Sequence, residues 1–179
     1  RVLDGAQGRV PNLYKVEYDL LEEPLVSILI PNYNHKRDLE KCLNSIWEKT
    51  TYRNYEILIV ENNSTQKDIF SYYEELQGKP GVCVVYWKEA FNYSAINNWA
   101  AAQAKGEYFV LLNNDIEIIS PDWLEQLLMF AQFPEYGAVG AKLYYQDKTV
   151  QHGGVIVGIG GVAGHAHKGF EHNAYGYFN

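Results

Sequence analysis

Four short apolar runs recur along the chain: "LVSILI" (25–30), "YEILIV" (55–60), "VCVVYW" (82–87) and "EYFVLL" (107–112). Near-continuous apolar runs of this length are strands covered on both faces, as in a parallel sheet. Between the first two, "RDLEKCLNSIWEKT" (37–50) spaces Leu39, Cys42, Leu43, Ile46 and Trp47 along one helical face. "STQKDIFSYYEEL" (64–76) and "YSAINNWAAAQAK" (93–105) predict two more helices, the last stopped by Gly106 in a left-handed cap. Buried strands alternating with amphipathic helices define an α/β domain, a mainly parallel sheet flanked by helices.

Sheets of this kind hold ligands beyond the carboxyl ends of their strands, at a switch point in strand order. Three polar, asparagine-rich segments fall at such ends: "PNYN" (31–34), "ENNS" (61–64) and "NND" (113–115). None is the glycine-rich turn of a dinucleotide site. "GIGGVA" (158–163) matches that glycine pattern, but it lies late in the chain and "GHAHKGF" after it is no helix.

The flanks are less regular. "NLYKVEYDL" (12–20) predicts a short strand within a leader over 1–23. Ser120 and Pro121 suit the start of a helix through "PDWLEQLLMFAQF" (121–133), and "YGAVGAKLYYQ" and "TVQHGGVIVG" predict strands. The organisation expected is leader 1–23, core 24–145, and a Gly/His-rich segment 146–179.

Composition narrows the partners. The 179 residues are 47% hydrophobic and 21% charged, ordinary for a globular protein. A net charge of −7 argues against nucleic acid and anionic lipid as partners. No apolar run approaches the roughly 20 residues of a transmembrane helix. Two cysteines, both predicted buried, leave a cytoplasmic setting as the default.

The motifs "VSILIPNYN", "CLNSIWEKTTYRNYEILIVENNS" and "FNYSAINNWAAAQAKGEYFVLLNNDIEIISPDWLEQL" together resemble the family 2 glycosyltransferases. The likeness spans residues 24–130 and continues weakly through "QHGGVIVGIGGVAGH". The "LNND" and "QHGG" forms look most like bacterial, rhamnosyltransferase-like members that build surface polysaccharides. The resemblance implies a GT-A fold, a Rossmann-like nucleotide-binding arrangement. It also implies inverting transfer of a sugar from a nucleoside-diphosphate donor, a UDP- or dTDP-sugar, to a saccharide or lipid-linked acceptor.

By the same resemblance Pro31, Tyr33 and Glu61 hold the nucleoside, with Asn32, Asn34 and Asn63 in the same loops. Tyr33 offers a ring face to a base, and Glu61 accepts hydrogen bonds from a pyrimidine or ribose. The plainer reading keeps Asn32 and Asn34 as turn formers, with Glu61, Asn62 and Asn63 capping the next helix. Asp115 matches the last acid of an Asp-X-Asp-like motif that binds Mg²⁺ or Mn²⁺, and Asn114 matches a ribose contact. Asn113 replaces an aspartate found in many relatives, so metal binding is expected to need the diphosphate's oxygens. The plainer reading of this segment is a strand-end turn capping "SPDWL". Glu117 falls on the side of Asp115 if the strand continues.

Asn97 and Asn98, with Ser94, stand near the start of the third helix as candidate phosphate or sugar contacts, with capping by Ser94 or Asn92 as the alternative. His152 or His165 is a candidate addition to the metal shell, against ordinary surface histidines. No carboxylate after Glu117 (Asp122, Glu125, Glu135, Asp147, Glu171) stands in a context resembling the family's general base. Asp122 and Glu125 read as surface-helix residues. With the stop at Asn179, this leads to the expectation of a fragment lacking the acceptor-side segment, one that binds donor but transfers sugar at no useful rate and is held at the inner membrane face by the rest of the protein. Two rivals are a non-catalytic nucleotide-sugar or saccharide-binding module and a nucleotidyltransferase. The second wants glycines that "PNYNHKRD" lacks.

Overall fold

The computed structural model describes residues 2–4 and 14–174. Two compact units are present, one over Asp19–Gln126 and the other from Arg1–Tyr18 with Leu127–Asn179.

The first unit is the α/β layer. Strands β3 (Val26–Asn32), β4 (Tyr55–Glu61), β5 (Val82–Tyr86) and β6 (Tyr108–Leu111) form one parallel sheet in the order β5-β4-β3-β6. Helices α1 (Lys36–Lys49), α2 (Lys67–Gln77) and α3 (Tyr93–Gln103) alternate with them. Leu29, Leu58 and Val60 pack with Ile96 and Ala100 of α3. Ile28, Ile30, Ile57 and Ile59 point to the opposite face, and they too are shut away from solvent. Both faces of the central strands are therefore covered, as their apolar composition predicts.

β5 is an edge strand, and the prediction for Cys83 fails there: its side chain is exposed. Cys42, on the inner face of α1, is buried as expected.

Gly106 also departs from expectation. α3 ends at Ala104 in an extended conformation, and Gly106 has no left-handed backbone. Its role is close approach. A Cβ there would stand 2.6 Å from Ser27 Oγ and 2.7 Å from the Leu25 carbonyl. The Gly106 amide instead donates to Ser27 Oγ at 2.9 Å, setting β6 beside β3.

Pro31 sits inside a central strand, where proline is normally excluded. Leu29 directs its carbonyl toward β6, accepting from Leu112 N, and Pro31 two residues on faces the same way. β6 pairs with β3 only as far as Leu111 opposite Leu29, so the missing N–H costs no ladder bond. The edge between β3 and β6 opens at that point.

In the second unit, β1 (Val2–Asp4) pairs antiparallel with β2 (Tyr14–Val16). Helix α4 (Trp123–Ala131) leads into it, starting two residues after Pro121. Tyr18 packs edge-on against Phe130 and Phe133. The two strands predicted beyond α4 are shorter and more broken than expected: β7 (Leu143–Tyr144) pairs with β8 (Val150–His152), and β9 (Val155–Val157) with β10 (Ala163–His165). "GIGG" is the turn of that last hairpin, with positive φ at Gly158, Gly160 and Gly161. It opens no helix and makes no dinucleotide site. Among the described residues no helix is long and apolar enough to cross a membrane.

Candidate functional site

From β3 the chain steps to β4 and β5 on one side, then returns to place β6 on the other. The reversal lies between β3 and β6, which is where a sheet of this type opens a crevice. Asn32 ends β3, Glu61 ends β4 directly opposite it, and 113–115 follow β6.

Hydrogen bonds tie these three strand ends together. Asn114 Nδ2 donates to Asn32 Oδ1 at 2.6 Å. Asn32 Nδ2 donates to the Asn34 carbonyl at 2.9 Å and to Tyr73 Oη at 2.8 Å. Tyr73 Oη donates to Glu61 Oε2 at 2.6 Å. Glu61, itself buried, also accepts from the Ser64 hydroxyl at 2.7 Å and from the Ser64 amide. Burial, and then the bond to Glu61, raise the Tyr73 phenol well above its ordinary range, while the bonds to Asn32 and Ser64 act the other way. The hydroxyl stays protonated and donating.

Asn34 joins the first loop to the second. Its side-chain oxygen accepts from the amides of Thr65 and Gln66 at 2.8 and 3.0 Å, and its own amide donates to Ser64 Oγ. Ahead of α2, Asn34 therefore satisfies the Thr65 and Gln66 amides and Glu61 the Ser64 amide. Asn34 and His35 both take positive φ, 54° and 50°, a conformation asparagine tolerates well. Asn63, at φ 56°, donates to the Glu89 carbonyl, and Asn62 to the Trp87 and Glu89 carbonyls, fixing the chain beyond β5. Tyr33 alone in this first loop presents a large apolar face, 51% exposed.

The "NND" segment leaves the sheet before it turns. β6 ends at Leu111 and a turn covers Asn114 and Asp115, so strand alternation does not carry to Glu117. Glu117 pairs instead with Lys49 at 3.0 Å, and Lys49 also reaches the Ile118 carbonyl. The Asn113 carbonyl faces the Cys42 thiol at 3.8 Å. Burial and then the Asp115 charge push that thiol from 9.0 to about 12. Asp115 is exposed and makes no hydrogen bond or ion pair among the described residues. A free carboxylate at a turn suits a hard cation that brings its own phosphate oxygens, not a complete metal cage. No group of three His, Cys, Asp or Glu able to hold a metal occurs among the described residues.

Asn92, not Ser94, caps α3, accepting from the Ala95 amide at 3.0 Å. Asn98 is exposed, whereas Asn97 is buried and donates to the Tyr93 carbonyl, leaving its Oδ1 without a hydrogen-bond partner among the described residues. Glu125 lies on α4 as expected; one oxygen accepts from Thr51, and the other is buried with no hydrogen-bond partner among the described residues. Asp122 precedes α4 and accepts from Gln126. In the second unit, His152 Nδ1 and His165 Nδ1 face each other at 2.9 Å.

Tyr73 is the site residue that sequence reasoning missed. In "FSYYEEL" it reads as one more core residue on α2, and its ring is indeed buried. A hydroxyl on a fully buried helical tyrosine needs a polar partner, and that was the available signal.

The parallel sheet flanked by helices defines an α/β protein with the GT-A fold. The description "Glycosyl transferase family 2" matches residues 27–161, and the chain belongs to this family. It is 44% identical over 155 residues to the O-antigen biosynthesis protein RfbC of Myxococcus xanthus, covering 87% of this chain and 12% of that protein. It is also 42% identical over 172 residues to an uncharacterized protein, y4gI, of Sinorhizobium fredii, covering 96% of this chain and 19% of the relative. The chain thus spans a small part of these relatives. A solved mannosyltransferase, PcManGT from Pyrobaculum calidifontis in complex with GDP-Man and Mn²⁺, shares the fold. Its TM-score is 0.64 at 23% identity, over 73% of this chain and 38% of that one.

Proposed function

We propose that this chain is the donor-binding part of a glycosyltransferase that moves a sugar from a nucleoside-diphosphate sugar to a saccharide or lipid-linked acceptor with inversion. The observation that carries the reading is the convergence of Asn32, Glu61, Asn114 and Asp115 at the β3–β6 switch point. Tyr33 stacks on the base. Glu61, held by Ser64 and Tyr73, shapes the nucleoside pocket behind it, with Pro31, Asn34 and Asn63 forming its walls. Asn114 Oδ1 accepts a ribose hydroxyl, Asn113 borders the same turn, and Asp115 holds a divalent cation, Mg²⁺ or Mn²⁺. That cation, when bound, stabilises charge on the departing diphosphate. Asn98 and Asn97 contact the phosphates or the sugar, a role supported by the lack of a hydrogen-bond partner for Asn97 Oδ1 among the described residues. The RfbC relative supports surface-polysaccharide assembly as the setting.

Asn113 favours one other reading. With a single carboxylate in the motif, a module that binds nucleotide-sugar without turning it over remains compatible with the site. One experiment separates the two. The protein is incubated with Mn²⁺ and a panel of UDP-, dTDP- and GDP-sugars, and released nucleoside diphosphate is measured. Release from one donor class supports the enzyme, and donor binding with no release supports the module.

A further inference from the structure

The hydrogen bonds between the three loops have a fixed direction. Glu61 is a carboxylate and only accepts, so the Tyr73 hydroxyl spends its single hydrogen on Glu61 Oε2. Tyr73 Oη must then accept, and it does so from Asn32 Nδ2. The second hydrogen of that amide goes to the Asn34 carbonyl, which orients the group at both donors. Flipping Asn32 would set an oxygen against the Asn34 carbonyl and strand the Tyr73 oxygen without a donor. Asn32 Oδ1 is therefore the only atom left to meet Asn114, and Asn114 answers with its Nδ2 at 2.6 Å. The bonds from Asn114 to Asn32, from Asn32 to Tyr73 and from Tyr73 to Glu61 all run in the direction of Glu61. At the far end Asn114 Oδ1 faces away, with no hydrogen bond among the described residues.

Resting on the donor-site reading above, we propose that Tyr73 is a positioning residue: through Asn32 it fixes Asn114 with its oxygen toward the ligand, making that position a selective acceptor for a ligand hydroxyl. Tyr73 itself stays buried on α2 and touches no ligand. Without its hydroxyl, Asn32 loses one of the two contacts that orient it. Asn114 can then present either end of its amide, and an amide free to rotate serves a hydroxyl no better than it serves other polar groups. The chain also places the Glu61 loop and the Asn114 turn under one constraint, although the two lie far apart in sequence.

The test is discrimination rather than affinity. UDP and GDP, each with its 2′-deoxy and 3′-deoxy analogues, are titrated into wild type and Tyr73→Phe in the presence of Mn²⁺. Wild type should bind the parent about tenfold more tightly than one of its deoxy analogues, the worth of one well-made hydrogen bond. In Tyr73→Phe that ratio should fall to about twofold or less. A tyrosine that merely supports the fold would weaken all three nucleotides by the same factor, and an unchanged ratio overturns the proposal. Asn32→Ala cuts the chain beyond Tyr73 and should lose the ratio in the same way, which keeps the test open if Tyr73→Phe folds poorly. Equal binding of parent and deoxy analogues by wild type also overturns it. Wild type that binds neither UDP nor GDP sinks the donor-site reading itself, a different and distinguishable failure.

Discussion

Asn114 Nδ2 donates to Asn32 Oδ1 across the point where strand order reverses, joining the end of β3 to the turn after β6 at 2.6 Å. This contact makes the two loops one surface. Asn32→Asp should therefore be damaging out of proportion to its size. The new carboxylate cannot donate to Tyr73 or to the Asn34 carbonyl, and it adds a second buried charge near Glu61. We expect a loss of about 3 kcal/mol in urea unfolding, the scale of an unpaired buried charge. A variant as stable as wild type would mean that these bonds do not persist in solution.

Glu61 accepts from both Ser64 groups and from Tyr73, so its contribution is to folding as well as to ligand. Glu61→Gln replaces an accepting oxygen with an amide that faces hydrogen-bond donors. Stability should fall by about 1–2 kcal/mol, and UDP affinity by about 1–3 kcal/mol. Purine and pyrimidine diphosphates bound with the same affinity by wild type would refute a base-reading role for this loop.

Gly106→Ala tests the packing of β6 on β3. The added Cβ meets backbone at 2.7 Å, where no flexible side chain can yield. A loss of about 3 kcal/mol is expected, toward the upper end for overpacking. A left-handed cap would respond to Asn as a mild replacement, whereas close approach predicts that Gly106→Asn is at least as harmful as Ala.

The two thiols should behave differently. Cys83 is exposed and Cys42 buried, with the Cys42 thiol pushed from 9.0 to about 12. A disulfide reagent at pH 8 should label one cysteine promptly and the second only after unfolding. The raised value also sets a pH dependence. Above about pH 9 the unfolded chain releases the Cys42 proton while the folded chain keeps it. Stability must then decline between about pH 9 and 12, and Tyr72, also raised to about 12, adds to the decline above its ordinary 10.0. Cys42→Ala should flatten the lower part of that slope.

Much of the sheet was legible because its signal is local. The runs at 25–30, 55–60, 82–87 and 107–112 each fall within a residue or two of an observed strand, since a strand buried on both faces leaves a continuous apolar trace. The asparagine-rich ends were legible as a site for the same reason, being polar where the trace stops. What joins them was not. Tyr73 meets Asn32 across 41 residues and Asn114 meets Asn32 across 82, and nothing in either segment marks its partner. Gly106 was misread because a glycine after a helix looks the same whether it turns the chain or lets a neighbouring strand approach. Cys83 was misread because an apolar strand does not announce that it lies at an edge. Beyond α4 the strands are only two or three residues long, too short for periodicity to resolve.

The central claim is that Asp115 and the asparagine-lined switch point hold a nucleoside diphosphate together with its cation. Calorimetric titration of UDP and GDP into wild type and Asp115→Ala, with Mn²⁺ and then with chelator, tests it most directly. The account predicts that wild type binds one of the two nucleotides at least tenfold more tightly with Mn²⁺, while Mn²⁺ alone gives little heat because Asp115 supplies a single carboxylate. In Asp115→Ala the advantage given by Mn²⁺ should largely disappear. Equal affinity with Mn²⁺ and with chelator, or an Asp115→Ala variant that keeps the full metal effect, would contradict it.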